Sequence, residues 1–356
     1  MLSAALLAAI AGSSAVLATP SVSVSFSGES LVNGVDNFKV VAQVANTGDE
    51  TLTLLNDPST LLTPQWATKS FHIESAEGVV PEFKGVAVKW SAQSAAANKA
   101  VTVIEPGKTV SFEHTLSGVY NFTTAGHSTY KIVPEDQATI FSTVDANGAI
   151  SSLRATVADA HSATLSGTLV PSAYHGEAAK ARGLAKRAHS FNGCSSSEQT
   201  ALNTAATNAQ TYADGAYNYL VGISASTTRY ATWFGAYTST RKSLVQTHYS
   251  NIRNGQLATD SFDCTCTEAD TYAYVYPDDF GLIYLCGYYW KAPATGTDSQ
   301  AGTLIHESSH FTSNGGTQDY VYGQTAAKSL ASSNPSEATM NADNHEYFAE
   351  NNPAQS

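Results

Sequence analysis

The segment His306-Glu307-Ser308-Ser309-His310 constrains the fold most, because it places two histidines four residues apart around a glutamate. Residues four apart share one face of an α-helix, so both imidazoles can reach a single cation. Glu307 can approach the open coordination position and deprotonate a metal-bound water. Thr303-Leu304-Ile305 and Phe311 supply apolar flanks, which favour a buried helix over residues 299–312 rather than two unconnected surface histidines.

A catalytic metal ion needs a third protein ligand and keeps one position for water. A histidine six residues after His310 would complete one known arrangement, but that position is Gly316. Glu337, on a later predicted helix, is a conceivable ligand, and Asp319 is the closer candidate. Asn314-Gly315-Gly316 should end the helix and turn the chain back, so that the short Asp319 carboxylate approaches the same ion.

The first half of the chain has the pattern of short β-strands. Residues 21–27 alternate strictly between serine and apolar side chains, and residues 38–44 are rich in β-branched ones. Asn46-Thr47-Gly48-Asp49 is a turn signal, and similar short runs follow at residues 51–55, 100–104 and 109–114. This pattern predicts a β-sandwich over residues 20–170.

One motif of the first half concerns modification rather than catalysis. Asn121-Phe122-Thr123 is a glycosylation sequon, which predicts a surface position for Asn121 if it is used. No catalytic constellation is recognisable in this half.

The two ends of the first half predict a secreted precursor. Residues 1–18 form a short apolar run ending in Val16-Leu17-Ala18, which is typical of a signal peptide. A small, basic linker at residues 177–187 ends in Lys186-Arg187, the kind of dibasic pair that processing proteases cut. We therefore expect a propeptide over residues 19–187, a catalytic domain over residues 188–356, and an extracellular location.

The second half has a different residue pattern. Residues 197–220, 228–251 and 336–350 favour helix, and residues 260–292 favour loops or short strands, which predicts a mainly α, α+β domain. The cysteines all lie here, and their even number in a secreted chain predicts two disulfides with three possible pairings. They are Cys194, Cys264, Cys266 and Cys286.

The net charge of −12 is concentrated in the second half, where 15 acidic residues oppose 6 basic ones from residue 188 onward. An acidic catalytic half argues against nucleic-acid binding and suggests either basic substrates or a need for solubility, which composition alone does not separate. Beyond residue 18 the sequence contains no apolar stretch of membrane-spanning length. We expect a monomer that binds neither nucleic acid nor membrane.

The metal segment followed by Gly316-Thr317-Gln318-Asp319 and Tyr322-Gly323 resembles the deuterolysin, or aspzincin, family of secreted fungal endopeptidases. The resemblance implies a zincin fold with one Zn²⁺ held by His306, His310 and Asp319. It implies Glu307 as the catalytic base and Tyr322 as the hydrogen-bond donor to the oxyanion, a role that suits a phenol.

Within that family the likeness is closest to the peptidyl-Lys metalloendopeptidases, which cut on the amino side of lysine. It implies the disulfides Cys194–Cys264 and Cys266–Cys286, and lysine recognition by Asp343 and Glu346. Those two carboxylates are three apart on a predicted helix, so they face the same way and could offset the desolvation of a lysine ammonium. Lysine-containing proteins and peptides, and a dibasic-processing protease, are the expected partners.

Two alternatives remain open at this point. A deuterolysin-like enzyme of broader P1′ preference would share the metal site and differ at Asp343 and Glu346. A non-catalytic secreted binding protein would use the β-domain instead, although it would have no need to keep Glu307 and Tyr322.

Overall fold

The computed structural model describes residues 20–172, 189–255, 257 and 259–356 of the chain. These residues form an N-terminal region, residues 20–172, and a C-terminal region, residues 189–356. The predicted signal peptide at residues 1–18 and the dibasic pair Lys186-Arg187 lie outside the described residues. No described helix is both long enough and apolar enough to span a bilayer.

The N-terminal region is rich in short strands, as the sequence pattern predicts. They are β1 (Val22–Ser27), β2 (Leu31–Asn33), β3 (Lys39–Asn46), β4 (Leu52–Leu55), β5 (Phe71–Ser75), β6 (Glu82–Phe83), β7 (Ala87–Trp90), β8 (Val101–Ile104), β9 (Thr109–Thr115), β10 (Tyr120–Asn121), β11 (Ser128–Pro134), β12 (Ile140–Val144), β13 (Ile150–Arg154), β14 (Thr156–Val157) and β15 (His161–Ser166). One helix, α1 (Ala92–Asn98), follows β7.

Two four-stranded sheets of this region share one hydrophobic core. Their strand orders are β14-β1-β3-β9 and β2-β15-β11-β5. Every second residue of β3 is buried, as expected of a strand with one face against a core. The first sheet contributes Val24 and Val40, and the second contributes Ile73, Ile132 and Leu165. The predicted β-sandwich-like architecture is confirmed.

The C-terminal region combines helices with a small sheet, which confirms the predicted α+β class. Its elements are β16 (Ser190–Asn192), α2 (Ser196–Gly222), α3 (Thr228–Phe234), α4 (Ser239–Asn254), β17 (Ser261–Asp263), β18 (Thr271–Val275), β19 (Leu282–Leu285), α5 (Gln300–His310), α6 (Gln324–Ser333), α7 (Pro335–Ala338) and α8 (Ala342–Glu350).

Helix α2 is the scaffold on which this region packs. It begins with a capping box, in which Ser195 Oγ accepts from the Glu198 amide and Glu198 Oε2 accepts from the Ser195 amide. Ala205, Ala209 and Ala213 form part of its buried face. Because alanine is small, helices α4 and α5 can pack closely against it.

Both disulfides fasten the segments around the sheet. Cys194–Cys264 ties the start of α2 to the end of β17, and Cys266–Cys286 joins the loop before β18 to the end of β19. These are the pairs that the resemblance implies.

Two helices that the sequence predicts as continuous are each divided. The helix predicted over residues 228–251 breaks at Gly235, whose φ is 70°. A Cβ there would lie 2.0 Å from the Ala331 carbonyl oxygen, so the chain turns where α6 passes. The helix predicted over residues 336–350 breaks between Ala338 and Ala342. Helix α6, which is rich in alanine and serine and has no side-chain cap, has no counterpart in the sequence prediction.

The sheet of the C-terminal region includes a strand from the N-terminal region. Its order is β16-β17-β19-β18-β7, and β7 pairs antiparallel with β18 along the outer edge. The two regions are therefore joined by backbone hydrogen bonds as well as by side chains.

Candidate active site

Helix α5 carries the histidine segment through the centre of the C-terminal region. Ser299 caps its first turn by accepting from the Gly302 amide. The buried Glu350 carboxylate accepts from both the amide and the hydroxyl of Ser299, at 2.9 and 2.8 Å. From Ala301 to His310 every residue is buried, so the helix is held on all sides.

Three potential ligand atoms converge beside α5. Asp319 Oδ1 lies 3.1 Å from His306 Nε2 and 3.3 Å from His310 Nε2, and the three side chains could hold a metal ion. Two atoms bound about 2.1 Å from a tetrahedral zinc ion lie roughly 3.4 Å apart, so these spacings fit one ion. The structure thus brings together the predicted ligands His306, His310 and Asp319.

An acceptor oxygen lies at the far side of each imidazole. His310 Nδ1 lies 2.9 Å from the Thr317 carbonyl oxygen, and His306 Nδ1 lies 2.8 Å from Asp343 Oδ1. These acceptors favour the tautomer with its proton on Nδ1, which leaves both Nε2 lone pairs facing the Asp319 carboxylate. The two Nε2 atoms and Asp319 Oδ1 have no hydrogen-bond partner among the described residues. Facing lone pairs repel unless a cation lies between them, so this donor set fits Zn²⁺.

The loop that carries Asp319 is held by the break between α7 and α8. Asn341 Oδ1 accepts from the amides of Tyr320 and Val321, at 2.8 and 3.2 Å. The Gln318 amide donates to the Met340 carbonyl, and the Gln318 carbonyl accepts from the Ala342 amide. A continuous helix over residues 336–350 could not present these groups, which is the physical reason for the break.

Glu307 lies beside the ligands with its carboxylate fully buried. Neither oxygen has a hydrogen-bond partner among the described residues. Burial raises the pKa of Glu307 to about 7, against the opposing effect of His306 and His310. A carboxyl group tuned in this way can both accept and return a proton near neutral pH.

Tyr322 directs its phenol into the same site. Its Oη donates to the Val88 carbonyl oxygen at 2.7 Å and lies 2.7 Å from Ser59 Oγ. Burial, together with the negative charge of Asp319, raises its pKa well above the ordinary value. The phenol therefore stays protonated and can donate a hydrogen bond.

Asp343 and Glu346, the predicted lysine-binding pair, lie side by side on α8 and are both buried. Asp343 has further contacts, since it holds His306 and accepts from the Gly323 amide at 2.6 Å. Glu346 Oε2 lies 2.6 Å from the Nζ of Lys89, an N-terminal residue that the sequence analysis did not single out. The only local signal was a lysine inside the otherwise apolar run from Val86 to Trp90.

Two other residues lie apart from the ligands. Glu337, the alternative third ligand, lies in the first turn of α7, where its amide donates to Asn334 Oδ1, and it is not among the residues that could hold the metal ion. His345 is buried, with Nε2 3.0 Å from His248 Nδ1, so it contributes to the packing behind α8.

Comparison with known proteins points to one family. Residues 219–350 match the family Aspzincin M35, described as lysine-specific metallo-endopeptidase. The chain is 52% identical over 346 residues to the peptidyl-Lys metalloendopeptidase of Armillaria mellea, covering 96% of this chain and 95% of that one. The chain belongs to the aspzincin M35 family.

Two further relatives of this aspzincin come from one fungus. The peptidyl-Lys metalloendopeptidase of Grifola frondosa is 48% identical over 359 residues, with full coverage of both chains. A solved structure of a zinc peptidase from Grifola frondosa is 64% identical, covers 46% of this chain and 100% of its own, and gives a TM-score of 0.45.

Proposed function

We propose that this chain is the precursor of a secreted zinc endopeptidase that hydrolyses peptide bonds on the amino side of lysine. The observation that supports this most is the position of a buried carboxylate pair, Asp343 and Glu346, directly behind His306. A lysine side chain entering the P1′ position would therefore reach its counter-ions while its amide bond lies at the metal ligands.

His306, His310 and Asp319 would hold one Zn²⁺ ion per catalytic domain. When bound, the ion supplies Lewis acidity, which acidifies water and polarises a carbonyl group. Asp343 orients His306 and keeps its proton on Nδ1, as carboxylates commonly do behind metal-binding histidines.

Glu307 moves the proton in this reaction. Its carboxylate accepts a proton from the attacking water and returns it to the backbone nitrogen of the substrate lysine as the peptide bond breaks. The burial that raises its pKa also keeps bulk water from competing for that proton.

Tyr322 stabilises the charge that develops on the carbonyl oxygen. A phenol already in donor position needs no reorganisation as the oxyanion forms, and removing such a donor typically costs about 10²- to 10³-fold in kcat. Ser59, which contacts the same phenol, belongs to the N-terminal region and is not part of this assignment.

Substrate preference resides in the carboxylates of α8. Taking an ammonium group out of water is costly unless charged partners replace its hydration, and Glu346 and Asp343 supply two. Arginine is bulkier and planar, so a pocket shaped for a compact ammonium group disfavours it.

The precursor organisation belongs to the same proposal. A signal peptide at residues 1–18 would direct export, and cleavage after Lys186-Arg187 would release a monomeric enzyme of residues 188–356 from the propeptide at residues 19–187. Asn121 is only partly buried at the end of β10, with Thr123 exposed nearby, which is compatible with glycosylation.

The test is digestion of a denatured protein containing lysine and arginine by the processed, zinc-loaded enzyme, with peptide ends read by mass spectrometry. We expect peptides that begin with lysine, and none after zinc chelation. Glu346→Gln should lower kcat/KM for lysine bonds by about 30-fold, the effect of truncating one partner of a buried charge pair. Glu337→Gln is the matched control and should leave both rate and preference unchanged.

The alternatives predict other results. Chelator-sensitive cuts with no lysine preference would support a broader deuterolysin-like enzyme. A zinc-loaded, processed protein that cuts nothing would support a secreted binding protein.

A further inference from the structure

Strand β7 occupies the edge of the catalytic sheet. It runs antiparallel to β18, with Val88 opposite Tyr274 and Lys89 opposite Ala273. Adding an extended strand to an open sheet edge is a common way for proteins to bind peptides. Strand β7 therefore pairs with this edge in the way that an extended peptide substrate would.

The main chain of Val88 lies among the groups assigned to catalysis. Its carbonyl oxygen accepts from Tyr322 Oη at 2.7 Å, and its amide donates to Asp319 Oδ2 at 3.1 Å. Tyr322 is the proposed oxyanion donor, so the Val88 carbonyl stands where the carbonyl of a bond to be cut would stand. The next residue in the chain is Lys89.

The side chain of Lys89 fills the proposed lysine pocket and is only 2% exposed. Its Nζ lies 2.6 Å from Glu346 Oε2, 3.4 Å from Asp343 Oδ1 and 3.5 Å from Asp298 Oδ1. The rings of Tyr272 and Tyr347 flank it, with centroids 4.8 and 5.9 Å from Nζ. Cation–π contacts of this kind add to the ion pairs.

Contacts on both sides of Lys89 hold β7 in place. Before it, Lys84 Nζ lies 2.8 Å from Asp278 Oδ2. After it, the Ser91 amide donates to the Asp270 carbonyl at 2.9 Å, and Ser94 Oγ donates to the Ala269 carbonyl at 3.2 Å. The strand is thus anchored at each end by the folded N-terminal region.

From this arrangement we infer that the N-terminal region inhibits its own catalytic region by presenting Lys89 as a substrate-like ligand. Lys89 occupies the P1′ lysine pocket, and β7 covers the sheet edge and the metal ligands until the region is released. The same contacts make Asp298 a third carboxylate of the pocket, with Tyr272 and Tyr347 as its walls. This inference rests on the proposed lysine specificity.

The experiment uses the full chain with Lys186→Gln and Arg187→Gln, so that the linker stays intact, and with Glu307→Gln, so that binding is measured without hydrolysis. The probe is a fluorescent peptide with a single lysine, followed by anisotropy in the presence of zinc. Lys89→Met should tighten peptide binding by about 30-fold, because it removes the buried charge that competes for the pocket. Lys131→Met, at an exposed lysine of β11, is the matched control and should change nothing.

Equal peptide affinity with and without the Lys89→Met substitution would overturn the inference. A second measurement needs no variant at position 89, since it compares acetylation of lysines by an amine-reactive reagent in the same intact chain. Lys89 should be modified at least about tenfold more slowly than Lys131, because its ammonium group is paired and buried. Equal modification would also overturn the inference.

Failure of the proposed function would look different. Suppose that the processed enzyme cuts before lysine, and that the intact chain with Lys89 binds the peptide as tightly as the Lys89→Met variant. That result rejects the inhibition alone. A processed enzyme without lysine preference rejects the proposed specificity first.

Discussion

The N-terminal and C-terminal regions both have an apolar core, and they differ in how many charged side chains are buried with it. Most inward residues of the N-terminal strands are aliphatic or aromatic. Among the described residues of that region, the buried Asp, Glu, Lys and Arg side chains are Asp57 and Lys89. Asp57 lies close enough to Asp319 for the two charges to interact, and Lys89 enters the proposed lysine pocket. The N-terminal core itself therefore contains no such charge among the residues described.

The core of the C-terminal region combines an apolar cluster with many buried polar groups. Helices α5 and α8 pack against each other, and all residues of α8 are buried. Their buried side chains include His306, Glu307, His310, Asp343 and Glu346. Buried charges contribute little to stability and cost much when left unpaired. An apolar cluster stabilises the fold of each region, whereas the buried polar groups of the C-terminal region are those that we propose carry out the chemistry.

The largest expected effect is a loss of catalytic activity with little change in stability. Glu307→Gln should lower kcat by about 10²- to 10⁴-fold, because an amide cannot accept the proton from water. The thermal unfolding midpoint of the zinc-loaded chain should change little, because the variant removes a buried charge that has no hydrogen-bond partner among the described residues. Peptide cleavage rates and calorimetry measure the two effects.

A large fall in the unfolding midpoint with activity retained would contradict this separation. Glu337→Gln serves again as the control, since it changes the same atoms at the start of α7, away from the ligands.

A substitution in the apolar core of the N-terminal region should have the opposite effect, in which stability falls and activity is kept. Ile132→Ala on β11 should lower the free energy of unfolding of the N-terminal region by about 2–5 kcal/mol, because Ile132 is fully buried. Once processed, the enzyme should keep its kcat. Denaturant unfolding of the full chain measures the loss, and the exposed neighbour variant Lys131→Ala should shift it by less than about 0.5 kcal/mol.

Close packing between α5 and α8 gives a third, smaller effect. A Cβ at Gly302 would lie 2.1 Å from Glu350 Oε1 and 2.9 Å from Glu346 Oε1. Gly302→Ala should therefore destabilise the C-terminal region by about 1–3 kcal/mol through overpacking. Gly215→Ala on α2 is the matched control: nothing lies within 4 Å of its Cβ, so alanine should stabilise the helix by about 0.5–1 kcal/mol. Equal changes at both positions would show that helix propensity, not the packed carboxylates, decides the outcome.

The candidate metal site could be predicted because its signal is local. His306 to Tyr322 span one helix and one loop, and helical periodicity alone brings the two histidines together. Helical periodicity does not decide between Asp319 and Glu337, because the position of Asp319 depends on Asn341 holding the loop. That contact joins residues about twenty positions apart and leaves no periodic signal.

The contact of Lys89 with the pocket could not be predicted from the sequence. It joins residues 257 positions apart through a four-residue strand. Short strands pair according to tertiary context rather than intrinsic preference. For the same reason the dual role of Asp343, which contacts both His306 and Lys89, emerges only once α5, α8 and β7 are assembled.

The smallest expected effect concerns the buried histidine pair behind α8. Burial lowers the pKa of His248 to about 4, and burial together with the charge of His248 lowers the pKa of His345 to about 3. In the unfolded chain a histidine titrates near pH 6.5, so between about pH 6.5 and 4 the unfolded state binds more protons. The free energy of unfolding should therefore fall as the pH falls through this window.

His248→Gln should reduce the slope of unfolding free energy against pH by up to about 1.4 kcal/mol per pH unit, measured by urea unfolding of the zinc-loaded chain. Comparison at each pH with the unsubstituted chain removes the pH dependence of metal binding. His72→Gln, at an exposed position of β5, should leave the slope as it is, and an equal reduction there would contradict the role of burial.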